Sequence, residues 1–190
     1  MIDYLALINK YYVSQPELKQ ILLTHSMQVR DRALKIVDDH PEWTENQLVD
    51  RDFIEEAAML HDIGILYCDA PRIYCKGPHH YIKHGYLGAE LLRKEGLPKH
   101  ADVAERHTGS GITEEQVIRE GINIPVKDYC PRTLEEKIIC YADKFYSKSH
   151  LGEEVAMAKI RQNIWRYGHD AVVRFDAMCA LINEAVDKNN

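Results

Sequence analysis

The sequence predicts an all-α fold. Apolar residues recur at spacings of three and four through most of the chain, and helix start and stop residues bracket those stretches. No stretch alternates apolar with polar residues as a half-buried strand would, and no internal repeat or low-complexity segment appears. With 190 residues, 45% of them apolar, the chain suits a single domain over 1–190 with a sizeable core.

After a short amphipathic start, Ser14 and Pro16 open a helix as a cap and a first-turn proline do, and it runs towards Leu23. From Thr24 a second segment carries His25, Val29, Ala33, Ile36 and Val37 on its core face. His40-Pro41 stops it, because the residue before proline disfavours helical dihedrals. A polar stretch over 42–50 leads to a helix that ends at His61-Asp62. There His61 shares a buried face with Ile54, Ala57 and Ala58, and Asp62 is turned from it by about 100°. Gly64 supplies a left-handed position that ends the helix. Residues 65–78 hold Pro71, Gly77 and Pro78 without a clear period, and read as a long irregular loop of the kind that covers a site.

Helix returns around His80, with His84, Leu87, Gly88, Leu91 and Leu92 in one stripe before Gly96-Leu97-Pro98 ends it. A short helix over 98–107 aligns Val103, Ala104 and His107, and Thr108-Gly109-Ser110-Gly111 breaks it. Another, over 113–120, opens with a capping box from Thr113 to Gln116. Beyond a loop with Pro125 and Pro131, a second box at Thr133 and Glu136 starts the helix that buries Leu134, Ile138, Tyr141, Ala142 and Phe145, with Asp143 beside that stripe. From Gly152 two more helices, divided near Gly168, run to a polar tail at Lys188-Asn189-Asn190. Their Tyr and Ile stripe is core or the face of a homodimer.

A buried aspartate beside a histidine needs a partner for its charge, and a metal ion is the expected one. The ionisable residues on or beside apolar helix faces are His25, His61, Asp62, His84, His107 and Asp143, from five helices. Imidazole nitrogens and carboxylate oxygens suit Fe or Mn first, with Zn, Co, Ni and Mg as further candidates. The set is too large for one ion that keeps an open position, so two divalent ions are expected. Asp62 has two oxygens and is the expected bridge, because His61 beside it fixes one metal. Each histidine alone reads as a hydrogen-bonded core residue; their joint placement on inward faces carries the metal reading.

Lys144 and Arg106, each next to a ligand, are the cations expected to stabilise developing negative charge, so Asp62, Lys144 and Arg106 form the expected catalytic group. His79 and His80 precede the His84 helix as second-tier candidates, and Arg72, Lys76, Lys83 and Arg132 lie on or near the two long loops, where cations are usually solvated. His40, His100, His150 and His169 read as surface or capping residues.

In this order, His25, His61-Asp62, His84, His107 and Asp143 resemble the HD-domain superfamily, and His61-Asp62-Ile63-Gly64 resembles its HDIG subset. The HG-x-x-GA form at 84–89 and Ala142-Asp143-Lys144 add to the likeness, which covers about 24–148, with the helices of 152–188 expected to pack on that part. The resemblance implies an all-α HD-domain helical bundle with a buried metal centre. It implies that His25, His61, Asp62 and Asp143 hold the first metal, and Asp62, His84 and His107 the second. It further implies a phosphohydrolase that cleaves a phosphate mono- or diester of a nucleotide-like small molecule, by a hydroxide between the metals. One departure is plain: many relatives carry a basic residue directly after HDIG, whereas this chain has Ile65-Leu66. The same ligand set also serves mixed-valent diiron oxygenases of the superfamily, which act on a polyol or a phosphonate. A metal-binding scaffold that signals through a partner is a third class.

The formal charge of −6, from 30 acidic and 24 basic residues, argues against a surface for nucleic acid polymers but leaves room for a small nucleotide held by local cations. Five cysteines without a CxxC pair suggest free thiols in a reducing cytoplasm. The first residues lack a basic, then apolar leader, and no run reaches the length of a membrane span, so no membrane partner is expected.

Overall fold

The computed structural model describes residues 2–183, which places the polar tail at 188–190 outside the described residues. Helices dominate: α1 (Tyr4–Tyr12), α2 (Pro16–Asp38), α3 (Pro41–Glu45), α4 (Arg51–Leu60), α5 (His84–Lys94), α6 (Pro98–Arg106), α7 (Glu114–Glu120), α8 (Leu134–Asp143), α9 (Met157–Trp165) and α10 (His169–Asn183). The all-α expectation holds, with small additions. Strands β1 (Cys68–Ala70), β2 (Cys75–Lys76) and β3 (His79–His80) form a sheet in the order β2-β1-β3, and β4 (Tyr146–Ser147) pairs with β5 (His150–Glu154). Elements of two to five residues are too short for an alternation to be read in sequence.

Helix starts follow local chemistry. Asp50 caps α4 by accepting from the N–H groups of Asp52 and Phe53 at 3.0 and 3.1 Å, and Thr113 and Thr133 accept from Gln116 and Glu136 N–H as N-caps, although the return bond of a capping box is replaced: Glu136 Oε2 accepts from Arg132 N–H and Gln116 Oε1 from Arg174. The expectation at Ser14 needs correcting, since Gln15 is the N-cap of α2 and Pro16 its first residue. The break at Leu23 needs correcting too: α2 runs unbroken for 23 residues, because no Gly or Pro interrupts the stripe Leu18, Leu22, His25, Val29 and Ala33. Likewise, the last two helices begin at Met157, and Gly152 lies in β5.

That long helix joins two apolar clusters. Leu18 and Leu22 pack with Ile8, Tyr12, Leu60, Ile63 and Leu92, whereas Val29 and Ala33 pack with Ile54, Ile138, Phe145 and, from the last two helices, Ile160 and Phe175. His25 sits on α2 at the change from one to the other.

Residues 63–83 are more ordered than the irregular loop expected from sequence. The 3-10 turn Ile63–Tyr67 leads into β1, and Gly77 N–H donates to Cys68 O at 2.8 Å to close the small sheet. Buried Tyr12 donates its hydroxyl hydrogen to Ile63 O at 2.8 Å, tying the turn to α1. Gly64 does not take the left-handed conformation; among the described residues it is absent from the glycines with positive φ. It is needed for close approach instead, because a Cβ there would lie 2.1 Å from His84 O and 2.3 Å from Gly88 N. No helix among the described residues is long and apolar enough to cross a membrane.

Of the histidines expected as surface or capping residues, His40 is the N-cap residue of α3, and both it and His100 are buried. His40 Nε2 donates to Ile182 O at 2.8 Å with its ring against Trp43, and His100 Nε2 lies 3.0 Å from Glu56 Oε2.

Candidate metal centre

Helix ends bring the six side chains together. His61 and Asp62 follow the last residue of α4, His84 is the first of α5, His107 follows α6, and Asp143 is the last of α8; only His25 comes from mid-helix. All but Asp143 are buried, and Asp143 is nearly so. Their ligand atoms fall into two groups, His25, His61, Asp62 and Asp143, and Asp62, His84 and His107, each within 4.8 Å of one another.

Asp62 belongs to both groups, one oxygen to each. Its Oδ2 lies 3.1 Å from His25 Nε2 and 3.0 Å from His61 Nε2, while Oδ1 lies 3.4 Å from His107 Nε2 and 3.5 Å from His84 Nε2. His25 Nε2 is also 3.0 Å from Asp143 Oδ1.

The backbone selects the imidazole tautomers. His61, His84 and His107 each place Nδ1 at 2.6 to 2.8 Å from the carbonyl three residues earlier, Ala58, Tyr81 and Ala104. A carbonyl only accepts, so Nδ1 carries the hydrogen and Nε2 turns its lone pair to the centre. His84 and His107 then present Nε2 atoms 3.0 Å apart with nothing to donate between them in their neutral form. Buried lone pairs facing one another and a carboxylate are a cost that a cation removes, so this donor set fits metal ions of the nitrogen- and oxygen-loving kind.

Electrostatics agree with that reading. Burial pushes His84 down to about 3 and also lowers His107, which keeps both imidazoles neutral, as ligands must be. For His61 burial acts in the same direction, but the adjacent Asp62 and Asp143 outweigh it and raise the ring to about 9, so its proton competes with an ion. Burial disfavours the charged forms of Asp62 and Asp143 as well. Lys148 and His61 beside the first, and Lys144 and His25 beside the second, outweigh it and hold both far below the usual carboxylate range.

Asp143 opens the cluster to a cavity of about 470 Å³ that Arg72, Tyr81, Lys144, Tyr146 and Lys148 help to line. Lys144 reaches both Asp143 Oδ2 at 2.5 Å and His107 O at 3.0 Å. Lys148, which sequence reasoning missed, places its ammonium against Asp62 Oδ2 from the turn between β4 and β5. Its one signal was its place four residues after Lys144, and helical spacing has no meaning in a hairpin.

Arg106 requires a correction, as it is absent from the residues lining this cavity and instead meets Glu136 Oε1 at 2.7 Å and Asp102 Oδ2 at 3.5 Å. Consecutive helical residues diverge by about 100°, so adjacency to His107 does not point the guanidinium at the centre. Arg106→Ala is therefore expected to lower unfolding stability by about 3 kcal/mol, the order of cost for leaving one member of a buried pair alone. Denaturant melts and initial rates are the check: kcat should stay within about twofold of the parent, a difference of only ~0.4 kcal/mol in barrier.

Ile65 is fully buried in the core cluster around Leu60 and Leu92, so the position after HDIG could not present a charge to the cavity. Arg72, from the segment expected to cover the site, does line it, whereas Lys76, Lys83, Arg132, His79 and His80 do not.

A family model described as HD domain matches residues 22–147. The chain is 45% identical over 96 residues to an uncharacterised protein of Methanocaldococcus jannaschii, covering 50% of this chain and 49% of that one. It is 31% identical over 159 residues to a tRNA (cytidine(56)-2'-O)-methyltransferase of Picrophilus torridus, covering 81% of this chain and 39% of that one. A protein of the same name from Thermoplasma volcanium is 30% identical over 144 residues, 75% of this chain and 35% of that one. The chain thus spans half or less of the length of these curated relatives. No solved structure matches it.

Proposed function

Since this chain belongs to the HD-domain family, we propose that it is a metal-dependent phosphohydrolase that cleaves a phosphate mono- or diester of a nucleotide-like small molecule. The observation that carries this reading is the junction of the acceptor-lined cluster with a cavity that Asp143 and three cations, Arg72, Lys144 and Lys148, help to line. Ions held by His25, His61, Asp62 and Asp143, and by Asp62, His84 and His107, would supply Lewis acidity and a water acidic enough to ionise near neutral pH.

The chain's own part is preorganisation. Three imidazoles locked by backbone carbonyls keep their acceptors aimed without reorganising, and Lys144 is fixed by Asp143 and His107 O. From that position the two lysines can receive the negative charge of phosphoryl oxygens. The volume suits a ligand of small-molecule size, for which pockets of about 300–1,000 Å³ are usual.

The methyltransferases named above extend well beyond the shared segment, and a match of 159 residues in a chain of 190 has to run through His61 to Asp143. We infer that the shared segment carries the metal site and that methyl transfer belongs to the remainder of those proteins.

Hydrolysis needs ions of constant valence, so the Mn form is expected to release phosphate from a nucleoside monophosphate or a sugar phosphate without O₂. Phosphate assay in an anaerobic chamber decides the matter. No release, with O₂ uptake by the iron form given a polyol or phosphonate, would transfer the case to the diiron oxygenase reading. Lys148→Met is expected to keep both ions and to lower kcat ~100-fold, the order seen when one donor to developing charge is removed. Metal content and kcat read together test this, and an unchanged kcat would reduce Lys148 to a counter-ion of Asp62.

A further inference from the structure

The segment that follows His107, Thr108-Gly109-Ser110-Gly111, is poorly equipped to hold its own shape. Gly109 and Gly111 flank Ser110 with φ of 61° and 89°, a region open to glycine, which is also the residue that loses most freedom when fixed. Within the segment, Gly111 N–H donates to Thr108 O at 3.0 Å. Neighbouring elements supply further restraint. Lys144 Nζ and Cys140 Sγ hold His107 O at 3.0 and 3.4 Å, and α10 holds the far end. Arg174 donates from Nε to Ser110 O at 3.3 Å and from Nη2 to Gly111 O at 3.0 Å, while buried Ser110 donates from Oγ to Ala171 O at 2.7 Å. Arg174 Nη2 also reaches Gln116 Oε1 at 3.1 Å, and Gln116 Nε2 donates to Tyr167 O at 3.1 Å, which ties the start of α7 to the same clamp. All of α10 lies beyond residues 22–147, the part that the family model matches.

A guanidinium is planar, so its N–H groups meet two successive carbonyls at fixed angles, which the single nitrogen of a lysine cannot do. Arg174 bonds none of the six ligand side chains; it acts on backbone three and four residues past His107. His107 belongs to the group of Asp62, His84 and His107, whereas the group of His25, His61, Asp62 and Asp143 takes its side chains from α2, from α8 and from the end of α4. We propose that Arg174 is a positioning residue for the ion of the His107 group: by fixing Ser110 O and Gly111 O it keeps His107 at its spacing from His84 and Asp62, so that α10 governs occupancy of that group and not of the other. The inference rests on the two-ion reading of the cluster.

The test strips the full chain of metal and titrates it with Mn²⁺ by calorimetry, with free Mn²⁺ counted by electron paramagnetic resonance. The parent should take up two ions. Arg174→Met should bind one of them unchanged and the other ~10-fold or more weakly, the order lost when the support behind a metal ligand is removed. Arg174→Lys serves one carbonyl at a time and should fall between the two; it also carries the test should Arg174→Met fail to fold. Arg161→Met is the control, since it removes the 2.9 Å bond from Nη2 to Asp176 Oδ2 between α9 and α10 without touching the segment, and both affinities should persist. In a His84→Ala background, where the His25 group alone is left complete, adding Arg174→Met should change nothing. Equal weakening of both ions, the same loss in Arg161→Met, or two ions held by Arg174→Met as tightly as by the parent would overturn the positioning role and leave the two-ion reading standing. A parent that saturates at one ion would sink the two-ion reading and this inference with it.

Discussion

Asp62→Ala is expected to leave the purified protein almost free of bound metal and to slow ester hydrolysis by ~10³-fold or more, the factor that corresponds to losing several kcal/mol of metal-supplied stabilisation. The reason is that its two oxygens serve different groups: Oδ2 stands about 3 Å from His25 and His61 Nε2, and Oδ1 3.4 and 3.5 Å from His107 and His84 Nε2. No other residue occurs in both groups. His84→Ala removes a ligand from one group only and should leave the set of His25, His61, Asp62 and Asp143 loaded, so about one ion per chain remains. Asp62→Asn, which keeps the shape of the side chain, separates charge from packing. Elemental analysis of the three variants beside their rates is the measurement, and an order in which His84→Ala empties both sites while Asp62→Ala stays loaded would refute the bridge.

Gly64→Ala should be nearly as severe, by a different route. The added methyl would meet His84 O at 2.1 Å, Gly88 N at 2.3 Å and Gly88 Cα at 2.7 Å, all backbone atoms that no rotamer change can move aside. Relief requires α5 to slide away from the 3-10 turn, and His84 sits at the first residue of α5. The expected cost is about 4 kcal/mol or more, the range reserved for a forced backbone clash, and about 10 °C or more in Tm for a chain of this size. Gly88→Ala is the internal control, because its Cβ would meet Gly64 N at 3.1 Å and should cost ~1 kcal/mol. Calorimetric melts rank the pair; equal Tm values for both variants would show that the turn and α5 are not locked as described.

The parts of the site that were legible in sequence are those set by apolar helix faces. His61, His84 and His107 were placed by the apolar stripes they share and Asp143 by its place beside one, whereas the ends were marked less well: the sequence starts one helix near His80 and carries another through Phe145, while α5 begins at His84 and α8 ends at Asp143. Contacts decided by tertiary approach were hidden. Gly64 looked like a helix terminator because that is glycine's commonest use after a helix, whereas here the absent side chain makes room for another backbone. Lys148 was invisible because it acts from a hairpin, and Arg106 was misread because its partner, Glu136, lies 30 residues away. The burial of His40 and His100, read as surface or capping residues, was hidden because each of their partners, Ile182 O and Glu56, is remote in sequence.

The convergence of helix ends also bears on how this chain reaches and keeps its native state. His25 and Asp143 are separated by 118 positions yet meet at 3.0 Å, so an ion held by both closes a loop covering most of the chain. Joining such distant points costs chain entropy that grows only slowly with length. Any ion that binds the folded form and ignores the unfolded one therefore acts as a long-range clasp, and its binding energy is added to folding energy. With ions so held, the supply of metal would govern survival as well as chemistry: a copy without them would open more often, and proteases would meet it in that opened form.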